Sequence, residues 1–353
     1  MSSVGAARGR EYKSREAYIY ASSRIRVAEK RLLTSQQLQQ LFAAQDYQEA
    51  LRLFRETPYG VSLSRAPEEL SYDEALRMET RRLSRELAEA APGSPLLGLF
   101  TLEDEFHNLK ILLKQQVLGK DFSQLLVEVP GQNLLYLRKL VEQPERNPRE
   151  SLQEKALSEA LKELDQTADL QRGEFVLDRA LFAAELELAR QLDSPLIENW
   201  VRTRIDLQNL GTALRLRLSG GSEERFSLAF IPGGELAKVT LLPLVSELGD
   251  EELGGEELGG ESFTRRLPFR EPLLSAVVSA LAKRDPARLE KARDEATLRA
   301  AREALKVTFG PEVLFGYALS RQMEILNLRI LLVSLQSGGK AEVRDNRLRV
   351  AGR

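Results

Sequence analysis

Glu105-Phe106-His107-Asn108-Leu109-Lys110-Ile111-Leu112-Leu113, running on to Gly119, decides how this chain is read, because it recurs twice. The second copy is Asp206-Leu207-Gln208-Asn209-Leu210-Gly211-Thr212-Ala213-Leu214, ending at Gly220. The third is Glu324-Ile325-Leu326-Asn327-Leu328-Arg329-Ile330-Leu331-Leu332, ending at Gly338. Counted from the Asn, every copy has an acid at −3, an aliphatic or aromatic residue at −2, Leu at +1, Leu at +5 and Gly at +11. The Asn residues stand 101 and then 118 residues apart. Such coincidence at fixed offsets marks an internal repeat, and repeats set the architecture before any other feature.

The spacing is helical. At 100° per residue, positions −2, +1, +4, +5 and +8 share an arc of roughly 120°. In the third copy these are Ile325, Leu328, Leu331, Leu332 and Leu335; in the first they are Phe106, Leu109, Leu112, Leu113 and Gln116. Gly at +11 reads as a helix stop, since Gly accepts the left-handed conformation that ends helices. The acids Glu105, Asp206 and Glu324 fall at the edge of the apolar arc, and Asn108, Asn209 and Asn327 lie one turn along. A carboxylate there needs a hydrogen-bonding partner. The pairs, with Leu109, Leu210 and Leu328 beside them, are expected to clamp each helix to a neighbour in its own domain. A direct functional role is the alternative.

Bulk properties narrow the classes. In 353 residues, 42% are hydrophobic and 29% charged, enough for sizeable cores. With 51 basic and 53 acidic residues the net charge is −2, which lacks the basic footprint that nucleic acid demands. There is no Cys and one His, His107, so thiolate or His-based metal sites and a His general base are not expected. No run approaches the ~20 apolar residues of a membrane span. Residues 1–15 lack the apolar core of a signal peptide. The expected setting is cytoplasmic.

Along the chain, helical periodicity dominates. Residues 1–14 read as a disordered arm. A helix is expected from Ser14 to Leu33, with Arg24 and Arg26 as candidate partners for the repeat acids. Thr34 with Gln37 forms a capping-box signal. Asp46 opens another helix, ended by Thr57-Pro58-Tyr59-Gly60. Further helices are expected at 68–91, 133–142, 151–164, 174–192, 235–248, 272–283 and 286–307. Ser94-Pro95, Ser194-Pro195 and Gly310-Pro311 precede the three repeat helices, and Pro130-Gly131 and Pro232-Gly233 follow the first two repeat glycines at similar distances. Only Phe226–Ala229 and Arg347–Val350 show period-2 character. The expected fold is all-α, with helical repeat domains at 15–125, 126–225 and 226–340 and a polar tail at 341–353. Within the third domain, residues 249–261 form an acidic, Gly-rich insert, expected to be an exposed loop.

No catalytic constellation emerges. There is no phosphate loop, no GxGxxG fingerprint and no GxSxG elbow. His107 points away from the apolar arc, and Trp200 is expected in a core. No catalytic, cofactor-binding or metal-binding residue is assigned.

Four stretches carry a family resemblance: Tyr18 to Arg26 with Leu32-Leu33, Tyr47 to Gly60, Phe106-His107-Asn108-Leu109-Lys110, and Ile231-Pro232-Gly233-Gly234. Together with the threefold repeat, over about residues 15 to 340, they resemble the C-subunit family of the V/A-type rotary ATPases (ATP synthases), related to the d-type component of the eukaryotic vacuolar enzyme. The resemblance implies three similar helical domains in a funnel about a pseudo-threefold axis. It implies a non-catalytic rotor part that joins the central stalk to the membrane proteolipid ring, on the cytoplasmic face, for ATP-linked proton or sodium transport. The sequence departs from the family pattern in its basic arm, its acidic insert, its tail and Gly211, where the other copies have Lys110 and Arg329. A helical-repeat scaffold or adaptor outside the ATPases is the alternative. An enzyme working through carboxylates alone would need a deep pocket that raises their pKa values.

Overall fold

The structure, a computed structural model, describes residues 12, 14–65, 72–129, 132–143, 151–245 and 267–338. Expectations for the first eleven residues, Pro130-Gly131, the 249–261 insert and the tail with Arg347–Val350 lie outside these. Among the described residues the protein is all-helical, with fifteen α-helices and no strand.

The first five helices are α1 (Ile19–Ala28), α2 (Ser35–Phe42), α3 (Tyr47–Arg55), α4 (Gly60–Arg65) and α5 (Tyr72–Ala90). The helix expected from Ser14 to Leu33 is subdivided, with 3₁₀ turns at Arg15–Tyr18 and Glu29–Arg31 on either side of α1. The capping box that opens α2 is present: Gln37 N–H donates to Thr34 Oγ1 at 3.2 Å, and Thr34 N–H donates to Gln37 Oε1 at 3.0 Å. Asp46 caps α3 by accepting from Glu49 N–H at 2.8 Å. Thr57-Pro58-Tyr59-Gly60 ends α3 as expected, but it also launches α4, which the sequence reading did not anticipate.

Next come α6 (Leu96–Leu118), α7 (Leu134–Glu142), α8 (Leu152–Thr167), α9 (Leu170–Gln191), α10 (Pro195–Leu218), α11 (Glu223–Ala229) and α12 (Lys238–Val245). The series ends with α13 (Leu273–Ala282), α14 (Pro286–Leu305) and α15 (Pro311–Gln336). The repeat helices are α6, α10 and α15. Each stops at its glycine, where Gly119, Gly220 and Gly338 have φ of 61°, 69° and 67°. A side chain is strained in that region, which is why Gly recurs at +11. Phe226–Ala229 is helical, not extended: Ser222 accepts from Arg225 N–H at 3.2 Å and starts a turn that four alternating residues could not reveal.

The chain divides into two compact units. One comprises Met1–Leu97, Leu192–Ile197 and Asp294–Arg353; the other comprises Gly98–Gln191 and Glu198–Arg293. In the first, the apolar face of α15 (Ile325, Leu328, Leu331, Leu332) joins Leu33, Leu38, Leu41, Phe54, Tyr59 and Leu76 in one buried cluster. In the second, Phe106, Leu109, Leu112 and Leu113 of α6 pack with Leu137, Leu140, Leu157, Leu177 and Leu181. The arc read from the repeat is therefore the core face of both helices. The core around α6 runs on to Ala184, well past residue 125.

Candidate functional site

The three Asn residues are all buried, Asn108 and Asn327 fully and Asn209 to 1% exposure, and the Leu that follows each is buried completely. On α6, Asn108 Oδ1 accepts from Val127 N–H at 2.8 Å, and its Nδ2 donates to the carbonyl of the same residue at 2.8 Å. Nδ2 also donates to Gln132 Oε1 at 2.6 Å. On α10, Asn209 makes the same bidentate pairing with Ile231, at 2.9 Å and 2.8 Å. In both cases a side-chain amide offers the donor and acceptor that a neighbouring strand would offer. It satisfies a returning backbone that has left regular structure; at Ile231, 2% exposed, those groups would otherwise be buried unpaired, whereas Val127 lies at the surface. Asn327 is also hydrogen-bonded.

The acids one turn earlier act on the same kind of target. Asp206 accepts from two successive backbone N–H groups, Glu235 at 3.0 Å and Leu236 at 2.9 Å. Gly234 is required for this approach, since a Cβ there would stand 2.1 Å from Asp206 Oδ1. Burial nevertheless dominates and raises the Asp206 carboxyl to about 6 despite those two bonds. Glu324 accepts from Leu33 N–H at 2.7 Å and from the Tyr59 hydroxyl at 2.6 Å, and burial raises it to about 7. Glu105, half-buried, accepts from Gln153 Nε2 at 2.5 Å, and its carbonyl accepts from Gln132 Nε2 at 3.2 Å. Thus Tyr59, Ile231 and Gly234, all within stretches quoted above, meet the repeat acids and Asn209. Arg24 and Arg26 do not pair with these acids. Arg24 lies on the exposed side of α1 and binds Glu89 at 2.5 Å, while Arg26 binds Glu29 at 2.6 Å.

Two buried arginines with their ion pairs escaped the sequence reading, and one of them, Arg321, also stands 3.8 Å from the repeat acid Glu324. Arg321 of α15 pairs with Glu79 of α5 and lies 4.3 Å over the Tyr59 ring. Arg204 of α10 pairs with Glu185 of α9 at 2.8 Å, also meets Glu103, and stacks 4.5 Å from the Trp200 ring. Burial works against both charges of this second pair, pushing Glu185 up and Arg204 down; their direct contact holds them together. Trp200 is thus in a core, as expected. A signal did exist: Glu185 has Leu181, Phe182, Leu188 and Ala189 as its i±3 and i±4 neighbours, so its carboxylate had to be buried.

The residue at +2 makes a lateral tie in two copies. Lys110 reaches Asp178 of α9 at 2.6 Å, and Arg329 reaches Asp73 of α5 at 3.4 Å. Gly211 leaves the α10 copy without one. The starts of all three repeat helices belong to the first unit and are tied there. Ser94 bonds the Tyr18 hydroxyl at 2.7 Å; Ser194 donates to Glu312 at 2.8 Å; Gly310 N–H donates to Ser22 at 3.2 Å. Arg15 closes the set on Glu312 at 2.7 Å. His107 is exposed, with Nε2 2.9 Å from the Leu125 carbonyl, consistent with its place off the apolar arc.

Among the described residues no cluster of three or more His, Cys, Asp or Glu could hold a metal ion, and no helix is long and apolar enough to cross a membrane. The arrangement is one of side chains holding backbone and of buried ion pairs locking helices.

Comparison with known proteins gives a consistent result. A family model described as ATP synthase (C/AC39) subunit matches residues 21–346. The chain is 28% identical to the C subunit of the V-type ATP synthase of Thermus thermophilus over 326 residues, covering 89% of this chain and 93% of that one. It is 25% identical to the C subunit of the V-type sodium ATPase of Enterococcus hirae over 281 residues, 79% of this chain and 82% of the relative. Against the C subunit of the A-type ATP synthase of Methanocaldococcus jannaschii it is 26% identical over 333 residues, 89% and 82% of the two chains.

Proposed function

Because this chain belongs to the ATP synthase (C/AC39) subunit family, we propose that it is a non-catalytic rotor subunit of a V/A-type rotary ATPase, peripheral to the membrane. In this reading it sits on the cytoplasmic face and joins the central stalk to the proteolipid ring, coupling ATP turnover to proton or sodium transport. The observation that carries the reading is the family match across residues 21–346. The geometry fits it: a coupling part must be stiff, and clamps from side chain to returning backbone supply stiffness where helix packing alone would leave loops loose.

The same reading includes three helical repeats about a pseudo-threefold axis. The clusters around α6 and α15 favour a repeat that opens on its Asn-bearing helix, so that residues 33–76 complete the repeat of α15.

Reconstitution with purified stalk and ring subunits tests the function. The expected result is that the wild-type chain binds both, hydrolyses no ATP alone, and restores ATP-driven ion movement to a complex assembled without it. If it binds neither while the rest of the rotor assembles, the scaffold alternative takes over.

A further inference from the structure

Tyr20, Arg24, Val27 and Arg31 follow one another at i, i+4, i+7 and i+11 and form one exposed stripe along α1 and the turn after it. Val27, 67% exposed, is set between the two arginines, and Tyr20, 63% exposed, lies one turn before Arg24 at the end of the stripe. Opposite them, α5 presents Arg82, Arg85, Glu86 and Glu89, again at one-face spacing. An open groove of about 400 Å³ runs between the two stripes.

Its charges are unbalanced. Four guanidinium groups line it against two carboxylates. Both carboxylates are committed: Glu86 accepts from Arg31 at 2.8 Å, from Arg82 at 3.0 Å and from the Tyr317 hydroxyl at 2.7 Å. Glu89 accepts from Arg24 at 2.5 Å, so Arg24 is itself paired, Arg31 and Arg82 share the one carboxylate of Glu86, and Arg85 is left over. Arg85 is exposed and makes no hydrogen bond or ion pair among the described residues.

We propose that this groove docks an acidic amphipathic helix of another subunit of the rotary complex, its carboxylates on Arg24, Arg31 and Arg85 and its apolar side chains on Val27 and Tyr20. The proposal rests on the chain's place in such a complex. The spacing argues for a helix. Arg24 and Arg31 are separated by about 10 Å of helix rise, so the cations form a row and do not converge on one point as a phosphate site would. Apolar side chains alternate with them, matching the anchors that a helix lays into a groove. A face for anionic lipid has no use for Glu86 and Glu89 beneath it.

The test uses the assembled complex. Val27→p-benzoylphenylalanine is introduced, the complex is irradiated, and the cross-linked peptide is identified by mass spectrometry. The expected product joins this chain to a segment of another subunit with Asp or Glu at helical spacing. Arg85→Glu should cut its yield about tenfold and Arg85→Lys should preserve it, as electrostatic complementarity requires. Arg85 has no internal partner among the described residues, so either variant should melt like the wild type. A cross-link only to lipid, only to a second copy of this chain, or to nothing while the chain stays in the complex overturns the proposal. So does an Arg85→Glu yield equal to wild type. A wild-type chain that never enters the complex overturns the rotor reading as well.

Discussion

Asn209 commits both halves of its amide to one residue, and that makes it costly to replace. Asn209→Ala would leave the N–H and C=O of Ile231 unpaired at a position 2% exposed. At about 1–3 kcal/mol per orphaned group, the variant should lose roughly 2–6 kcal/mol in chemical denaturation. The Ile231 amide should also exchange its hydrogen much faster. Glu324 and Asp206 make a prediction about pH. Their folded carboxyls stand at about 7 and about 6, above the ordinary values of 4.5 and 3.8. Between those limits the folded chain binds more protons than the unfolded one. Their stabilisation is therefore full near pH 4 and is lost as pH rises through about 7. For Glu324 alone the span is worth roughly 3 kcal/mol at ~1.4 kcal/mol per pH unit. Glu324→Gln should flatten the decline in stability between pH 5 and 8; an unchanged slope in urea melts would show that Glu324 does not titrate there. At this scale the sequence revealed the polar clamp residues but not their targets. Val127 and Ile231 are held by their backbones, and a backbone leaves no mark in residue type.

Among elements, the repeat glycines were legible because each must adopt a positive φ, and so were the caps at Thr34 and Asp46. The short α4 and α11 were not, since one or two turns are too few to set up a period. Close helix packing was also hidden. Gly316 of α15 lets that helix approach α14: a Cβ there would stand 2.8 Å from the Ala304 Cβ and 3.2 Å from the Ala301 carbonyl oxygen. Gly316→Val should therefore cost about 1–3 kcal/mol through overpacking and lower the melting temperature accordingly. A neutral result would mean that the two helices can part without loss.

For the whole molecule, the all-α class was readable from periodicity. The division into units was not, because the chain leaves the first unit at Leu97, returns briefly at 192–197 and returns again at Asp294. Periodicity reports local faces and is silent on such returns. The buried Leu328 gives the prediction at this scale. Leu328→Asp removes about 1.5–3 kcal/mol of apolar burial and adds an unpaired buried carboxylate, so the first unit should loosen. In a reconstituted complex this variant should uncouple ATP turnover from ion movement, while the catalytic head assayed alone keeps its hydrolysis. Full coupling with Leu328→Asp would show that the core of the first unit does not serve the rotor role.

The bidentate grip of Asn108 and Asn209 has a mechanical side. A pull that lifts the returning segment off its helix loads two parallel bonds at once, and neither can rupture before its twin has begun to carry force. Zipper-like contacts fail one at a time under small tension; a paired fastening yields only near the sum of both strengths. A part that must carry torque gains by placing such fastenings midway along its longest rods, and that is where α6 and α10 hold theirs.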